Sequence, residues 1–282
     1  MLKDGWFFED DMPLAVAVKI KSSLNLTKSK YQKIEILDSV CMGKVMLLDD
    51  KLMLTDKDEF YYHEVIAHTS LSIHPNPKKI IVIGGGDGGT IREVFKYKTV
   101  EEIELVEIDE EVINLSKKYF PEVACDLDNP KLKIKVNDAI EYIKNVKERS
   151  CDVILCDSTD PLGFALGLIS KEHYKNSSKA LKEDGIYITQ SGSLTIQEKE
   201  FKTALENMRT AFKYVDALIS VAPTYPGCLW SYLMASNKPI DKKIKHMPQG
   251  KLQYWNPEMH EKVFIKPTWL QEKYFSLQNA KV

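Results

Sequence analysis

Residues 80–95 read IIVIGGGDGGTIREVF: four branched apolar residues, a glycine-rich loop, then apolar and charged residues mixed at helical spacing. An unbroken apolar run suits a strand covered on both faces, and TIREVF suits a helix packed against it, so the stretch predicts a strand–loop–helix unit of a parallel sheet. Gly84, Gly86 and Gly89 fit the G-x-G-x-x-G spacing of nucleotide sites, in which glycines permit a tight turn and let a ligand approach the helix N-terminus. Asp87 lies inside that loop. A pyrophosphate brought to this turn would be repelled by the carboxylate, whereas a nucleoside with a cationic tail would be attracted. The expected ligand is a nucleoside whose other end is positive.

The same alternation continues downstream. KIIVIGG precedes TIREVFKY, EEIELVEI precedes EEVINLSKKYF, KLKIKVND precedes AIEYIKNV, CDVILCD precedes a loop and HYKNSSKALKE, and GIYITQS precedes a long helix reaching Phe212. Strands alternating with helices predict a doubly wound α/β sheet of Rossmann-like type. VDALISVAPTYPG and CLWSYLMAS, joined through a Pro-Gly turn, read as an antiparallel pair at its end. Upstream, YQKIEILDS, KVMLLDD and KLMLTD cluster apolar residues around the turn-prone Met42-Gly43 and Asp49-Asp50, as short antiparallel strands do. DEFYYHEVIAHTSLSIH reads as a helix that ends before Pro75-Asn76-Pro77. The expected organisation is a small N-terminal antiparallel β domain over residues 1–56, a connecting helix and linker over 57–77, and the Rossmann-like α/β domain over 78–282.

With 282 residues, 44% hydrophobic and 28% charged, the chain has an ordinary globular composition. A formal charge of -2, with lysines scattered among acids, offers no basic stripe for a nucleic-acid backbone. MLKDGWFFEDDMP lacks the basic start and apolar run of a signal peptide, and no stretch approaches the length of a membrane span, so a cytoplasmic protein without nucleic-acid or membrane partners is expected. Five cysteines without a C-x-x-C pair indicate neither a disulfide framework nor a structural zinc site, and buried free thiols are expected.

Ligands of doubly wound sheets collect at the carboxyl ends of the strands, and those ends are acidic here. The first strand leads into Asp87, the second ends at Glu107 and Asp109, the third at Asp138, and the fourth at Asp157 with Asp160 close behind. Glu107 follows the loop by about twenty residues, where an acid accepts the hydroxyls of a ribose. Asp109 suits a helix cap, and Asp138 suits both a cap and an adenine contact. Asp157-Ser158-Thr159-Asp160-Pro161 has the chemistry of a solvated turn. A buried-type strand nevertheless delivers Asp157 to the ligand-bearing edge, and with Asp87 and Asp160 it would form a pocket for a polycation. His63 and His68 do not share a helix face, being about 140° apart, so no metal is expected from the helix that carries them.

GGGDGGTIREV, the Asp157–Pro161 cluster, SKYQ at Ser29–Gln32, DEFYYHE at Asp58–Glu64 and PTYPG at Pro223–Gly227, in that combination, make the chain similar to the spermidine synthases, the polyamine aminopropyltransferases. The similarity runs from Trp6 to the region of YWNPEMHEKVFIKP. It implies a methyltransferase-type Rossmann-like domain after an N-terminal β domain, assembled into homodimers or homotetramers. It also implies aminopropyl transfer from decarboxylated S-adenosylmethionine to putrescine, giving spermidine and methylthioadenosine with no metal or redox cofactor. By motif position Asp157 would be the catalytic carboxylate and Asp160 a diamine ligand. Gln32, Glu107, Asp138 and Ala139 would hold the nucleoside, and Asp87 the aminopropyl ammonium. Tyr62, His63, Gln190 and Tyr225 would line the diamine channel. Members of the family commonly continue Pro-x-Gly-Pro-Ala-Glu after the cluster, whereas this chain has Phe164 and Leu166 in a Pro161-Leu162-Gly163-Phe164-Ala165-Leu166 run. Phe164 is therefore a candidate to stack on adenine in place of the proline, or else to pack the loop. Putrescine N-methyltransferases share the sheet and the donor type and are the nearest rival, and agmatine or cadaverine are rival acceptors.

Overall fold

The computed structural model describes residues 2–9, 14–160 and 163–276, without the side chains of Leu2 and Phe164. The N-terminal part is a six-stranded antiparallel sheet in chain order: β1 (Leu2–Lys3), β2 (Trp6–Glu9), β3 (Val16–Lys28), β4 (Lys33–Ser39), β5 (Lys44–Leu48) and β6 (Lys51–Thr55). The short strands expected from Lys30 onward are present. The sheet also recruits the 13-residue β3, which lies upstream of the expected strands. Its apolar residues alternate, Val16, Val18 and Ile20 packing in the sheet's core, whereas Leu24 and Leu26 farther along are exposed. Between β5 and β6, Asp49 and Asp50 both take positive φ (48° and 61°), as a two-residue hairpin turn requires and aspartate tolerates.

Helix α1 (Glu59–Leu71) links this sheet to the second and is buried along almost its whole length. Its Glu64 carboxylate accepts the backbone N–H groups of Gln253, Tyr254 and Trp255 at 2.8, 2.9 and 2.7 Å, fastening the C-terminal segment over the helix. A buried carboxylate is stable there because it receives three donors.

The second unit follows as β7 (Lys79–Gly84), α2 (Gly89–Phe95), β8 (Glu102–Glu107), α3 (Glu110–Tyr119), β9 (Leu132–Val136), α4 (Ala139–Lys144), β10 (Cys151–Asp157), a 3₁₀ turn at Gly163–Ile169, α5 (Lys171–Ala180), β11 (Leu181–Ser193), α6 (Glu198–Arg209), β12 (Tyr214–Val221), β13 (Leu229–Ser236), α7 (Pro257–Val263) and α8 (Thr268–Tyr274). The strand order is β12-β13-β11-β10-β7-β8-β9. β9, β8, β7, β10 and β11 run parallel, and the closing pair is antiparallel, as its Pro-Gly turn suggested. Ile80, Val82, Val153 and Leu155 pack on one face, Ile81, Ile83, Ile154 and Cys156 on the other, so the continuous apolar runs reflect two buried faces. From β7 the chain winds outward through β8 and β9, then returns to lay β10 on the other side of β7. That reversal leaves a crevice at the carboxyl ends of β7 and β10, where Gly84 and Asp157 are register partners.

The cysteine expectation needs correction. All five are free, but only Cys151 and Cys156 are buried, whereas Cys41, Cys125 and Cys228 are exposed. The buried pair lies on β10, while the other three fall between regular elements, where apolar packing does not reach them. Among the described residues no helix is long and apolar enough to cross a membrane.

Candidate active site

A cavity of ≈ 390 Å³ occupies the crevice and is walled on its open side by the N-terminal sheet. Gln32, Tyr62, His63, Asp87, Glu107, Asp138, Ala139, Asp157, Asp160, Gln190 and Tyr225 all line it. Of the candidates from sequence, the side chain of Phe164 alone lies outside the described residues.

The glycine loop serves close approach. A Cβ on Gly86 would come within 2.9 Å of the Glu107 carboxylate, and one on Gly89 within 2.2 Å of the His63 ring. Two glycines of the motif thus make room for side chains that reach the ligand crevice. The left-handed turns fall instead at Gly84, Gly85 and Gly88, with φ of 71°, 70° and 89°.

At the end of β8, Glu107 accepts N–H donors from Gly86 at 3.2 Å and Asp109 at 3.0 Å. Burial outweighs these contacts and pushes its carboxyl up to about 7. Asp109 caps α3 by accepting from the Glu111 N–H, as expected, and its other oxygen receives Ser29 Oγ at 2.7 Å and Gln32 Nε2 at 2.9 Å. One carboxylate therefore caps a helix and docks the Ser29–Gln32 turn of the first sheet onto the second. Asp138 caps α4 through the Ile140 N–H at 2.8 Å, as the capping reading expected, and also lines the cavity.

On the other side, Asp157 ends β10 with its carboxylate buried. Thr90 donates to its Oδ2 at 2.6 Å. Burial, then the nearby Asp87, raise its carboxyl above the ordinary range, against the opposing pull of His63, Thr90 and Tyr62. Asp87 accepts the Gly89 N–H at 2.6 Å and faces His63 Nε2 at 3.3 Å. Its carboxyl is lowered despite burial, chiefly by His63. His63 in turn places Nδ1 at 2.6 Å from Glu59. Burial opposes its charge, but the Asp87 and Glu59 carboxylates hold the imidazole well above its usual value. Two carboxylates thus face the ring of His63 at the cavity wall and favour its charged form.

Gln190 spends its amide on the loop after Asp157: Nε2 donates to the carbonyls of Ser158 and Thr159 at 3.1 and 3.2 Å, and Oε1 accepts the Gly192 N–H. Asp160 accepts from Gln197 Nε2 at 2.8 Å. Tyr225 donates its hydroxyl to the Met53 carbonyl at 2.7 Å, and the preceding Thr224 is held by Asp58 through its N–H at 2.9 Å and its hydroxyl at 2.6 Å. The PTYPG loop therefore bridges both sheets across the cavity mouth.

His63, Asp87 and Asp157 bring one donor atom each to within 4.8 Å of one another, the grouping closest to a metal site among the described residues. Both imidazole nitrogens face carboxylates, Nδ1 at 2.6 Å from Glu59 and Nε2 at 3.3 Å from Asp87, an arrangement that favours the charged ring over metal ligation. An ammonium group suits such a trio better, since it donates hydrogen bonds to the two aspartates and needs nothing from the histidine.

Sequence reading overlooked Thr90, Glu59, Arg92, Glu9 and Trp230. Thr90 follows the glycine loop directly and could have been found there. Glu9 and Trp230 line the cavity from distant strands and carry no local signal.

A mostly parallel sheet with this switch point places an acidic crevice where open α/β proteins bind their ligands. Residues 59–245 match the family model described as the spermine/spermidine synthase domain, and residues 5–56 match that of the spermidine synthase tetramerisation domain. The polyamine aminopropyltransferase of Moorella thermoacetica is 38% identical over 270 residues, covering 95% of each chain. That of Methanocaldococcus jannaschii is 40% identical over 276 residues, covering 95% of this chain and 94% of its own. A crystal structure of spermidine synthase with the transition state analogue AdoDATO superposes with a TM-score of 0.90 at 34% identity, covering 96% of this chain and 95% of that one. Spermidine synthase from Thermotoga maritima gives 0.87 at 32% identity, with the same coverage. The chain belongs to the spermine/spermidine synthase family. It is a transferase of the polyamine aminopropyltransferase class, with an N-terminal domain of the family's oligomer-forming type.

Proposed function

We propose that the chain makes spermidine, using putrescine as acceptor and decarboxylated S-adenosylmethionine as co-substrate, without a separate cofactor. The carrying observation is the pair of acids, half-buried Asp87 and buried Asp157, that line one cavity together with Glu107. The donor's nucleoside lies along Gln32, Glu107, Asp138 and Ala139, and its ammonium meets Asp87. Asp160, Tyr62, His63, Gln190 and Tyr225 border the acceptor.

Diamine nitrogens have lysine-like pKa values of about 10, so putrescine arrives doubly protonated and one nitrogen must lose a proton before it attacks. Asp157 takes that proton, and its raised carboxyl makes it a better acceptor than an exposed aspartate. The freed lone pair forms a bond to the carbon beside the sulfonium, the carbon–sulfur bond breaks, and its electron pair stays on sulfur as the neutral thioether of methylthioadenosine. Because the sulfonium is already an excellent leaving group, much of the remaining catalysis is placing nitrogen and carbon in line at about 3–3.5 Å.

The protein works in the cytoplasm as a homodimer or homotetramer, with three units over residues 1–56, 57–77 and 78–282. Incubation with each donor and each amine, followed by mass spectrometry of the products, tests the reading. Spermidine from putrescine and the decarboxylated donor supports it. Transfer of a methyl group from intact S-adenosylmethionine would make the protein a putrescine N-methyltransferase, and preferred aminopropylation of agmatine or cadaverine would replace the acceptor. Light scattering separates dimer from tetramer.

A further inference from the structure

We propose that Glu59 and Arg92, neither of which lines the cavity, are positioning residues: they hold His63 as an imidazolium and through it keep Asp87 ionised and aimed at the donor's ammonium. The inference rests on the donor assignment above. Arg92 grips Glu59 with both ends of its guanidinium, Nη1 to Oε1 and Nη2 to Oε2 at 2.9 Å each, while its Nε donates to Glu93 at 2.7 Å. Glu59 Oε2 then faces His63 Nδ1 at 2.6 Å, and His63 Nε2 faces Asp87 Oδ1 at 3.3 Å. The result is a row of alternating charge running from α2, through α1, to the glycine loop.

Only a doubly protonated ring donates from both nitrogens. Burial makes that charge costly and the pairing correspondingly strong: His63 is 3% exposed and Glu59 8%. The charged or titratable groups facing His63 are Glu59 and Tyr62 on its own helix, Asp87 in the loop, and Asp157 at the end of β10. Remove the imidazolium, and Asp87 and Asp157 become neighbouring carboxylates of like charge, one of which takes up a proton. The planar two-pronged grip explains arginine at position 92, since a lysine supplies a point charge without fixing the Glu59 plane. A purely mechanical role, fastening α1 to α2, would leave the ring's charge unchanged by neutral replacements.

The test combines ¹⁵N NMR of histidine-labelled protein with two binding measurements on Glu59→Gln, the His63 signals being assigned by their loss in His63→Gln. At about pH 8 the wild-type ring shows two protonated nitrogens, whereas in Glu59→Gln it becomes neutral. Affinity for decarboxylated S-adenosylmethionine falls by about tenfold or more, a change of about 1.4 kcal/mol. Affinity for methylthioadenosine, which lacks the ammonium, stays within about twofold. A ring still doubly protonated in Glu59→Gln, or equal losses for the two nucleosides, would overturn the proposal. If Glu59→Gln does not fold, Arg92→Lys is read in the same way, with a smaller expected loss for the donor. Failure of the wild-type protein to bind the decarboxylated donor would count against the donor assignment, while the NMR measurement would still decide the charge on His63.

Discussion

Thr90 Oγ1 donates to Asp157 Oδ2 at 2.6 Å, joining the first turn of α2 to the end of β10 across the glycine loop. The bond favours the ionised carboxylate in a site where burial and Asp87 push the other way. Thr90→Val removes the donor at nearly constant volume, so the Asp157 carboxyl rises further. The acidic limb of the kcat/KM profile should move up by about one to two pH units, as loss of a hydrogen bond to a charged group implies. A pH–rate profile checks this, and an unmoved limb would show that Thr90 does not support the charge.

Asp157→Asn should lower kcat by about a hundredfold or more while donor binding survives, because general-base assistance is typically worth 10²–10⁴ in rate. The variant keeps the shape of the side chain and can still receive the Thr90 bond. Near wild-type turnover in a folded Asn variant would remove Asp157 from its assigned role.

Asp87→Asn should narrow the preference for decarboxylated over intact S-adenosylmethionine. The wild-type carboxylate attracts an ammonium and repels the extra carboxylate of the intact donor, whereas the amide does neither strongly. Calorimetric titration of both donors into both proteins measures the change. Equal wild-type affinities would contradict the electrostatic reading of the loop.

Glu107 offers a test that separates stability from binding. Its carboxyl rises from 4.5 to about 7 on folding, so the folded protein holds the proton more tightly than the unfolded chain does. Its effect on stability is therefore present below the lower value and lost as pH rises through the upper one. Without nucleoside, the ionising carboxylate should cost up to about 3 kcal/mol across that window. Glu107→Gln should raise the Tm of the ligand-free protein at about pH 8 and weaken methylthioadenosine binding. A lower Tm would mean that the contacts with Gly86 and Asp109 outweigh the cost of burial.

Phe164→Ala should weaken methylthioadenosine binding by about 1–3 kcal/mol, the usual worth of an aromatic ring stacked on a base, with amine selectivity unchanged. Unaltered nucleoside affinity in a stable variant would leave Phe164 as loop packing.

The alternation of strands and helices was legible in the sequence because the period of buried positions is a local property, printed along each element. The acids at the strand ends were legible for the same reason: once KIIVIGG, EEIELVEI and CDVILCD are strands of one parallel sheet, their carboxyl ends share an edge. β3 carries the same kind of signal, alternating at Val16, Val18, Ile20, Leu24 and Leu26, so it too was legible in the sequence although the expected strands began only at Lys30. Charge pairing has no local signature at all. Gln32 finds Asp109 across 77 residues, Arg92 finds Glu59 across 33, and Thr224 finds Asp58 across 166. An isolated aspartate in the glycine loop reads as a free negative charge, and only the packing of α1 against that loop makes it half of a pair with His63. The sequence by itself determined the alternation of strands and helices and the acids at the strand ends, because both are local patterns. The protonation and partners of those acids were decided by tertiary structure, because these depend on burial and on charges brought close only when the helices and both sheets pack.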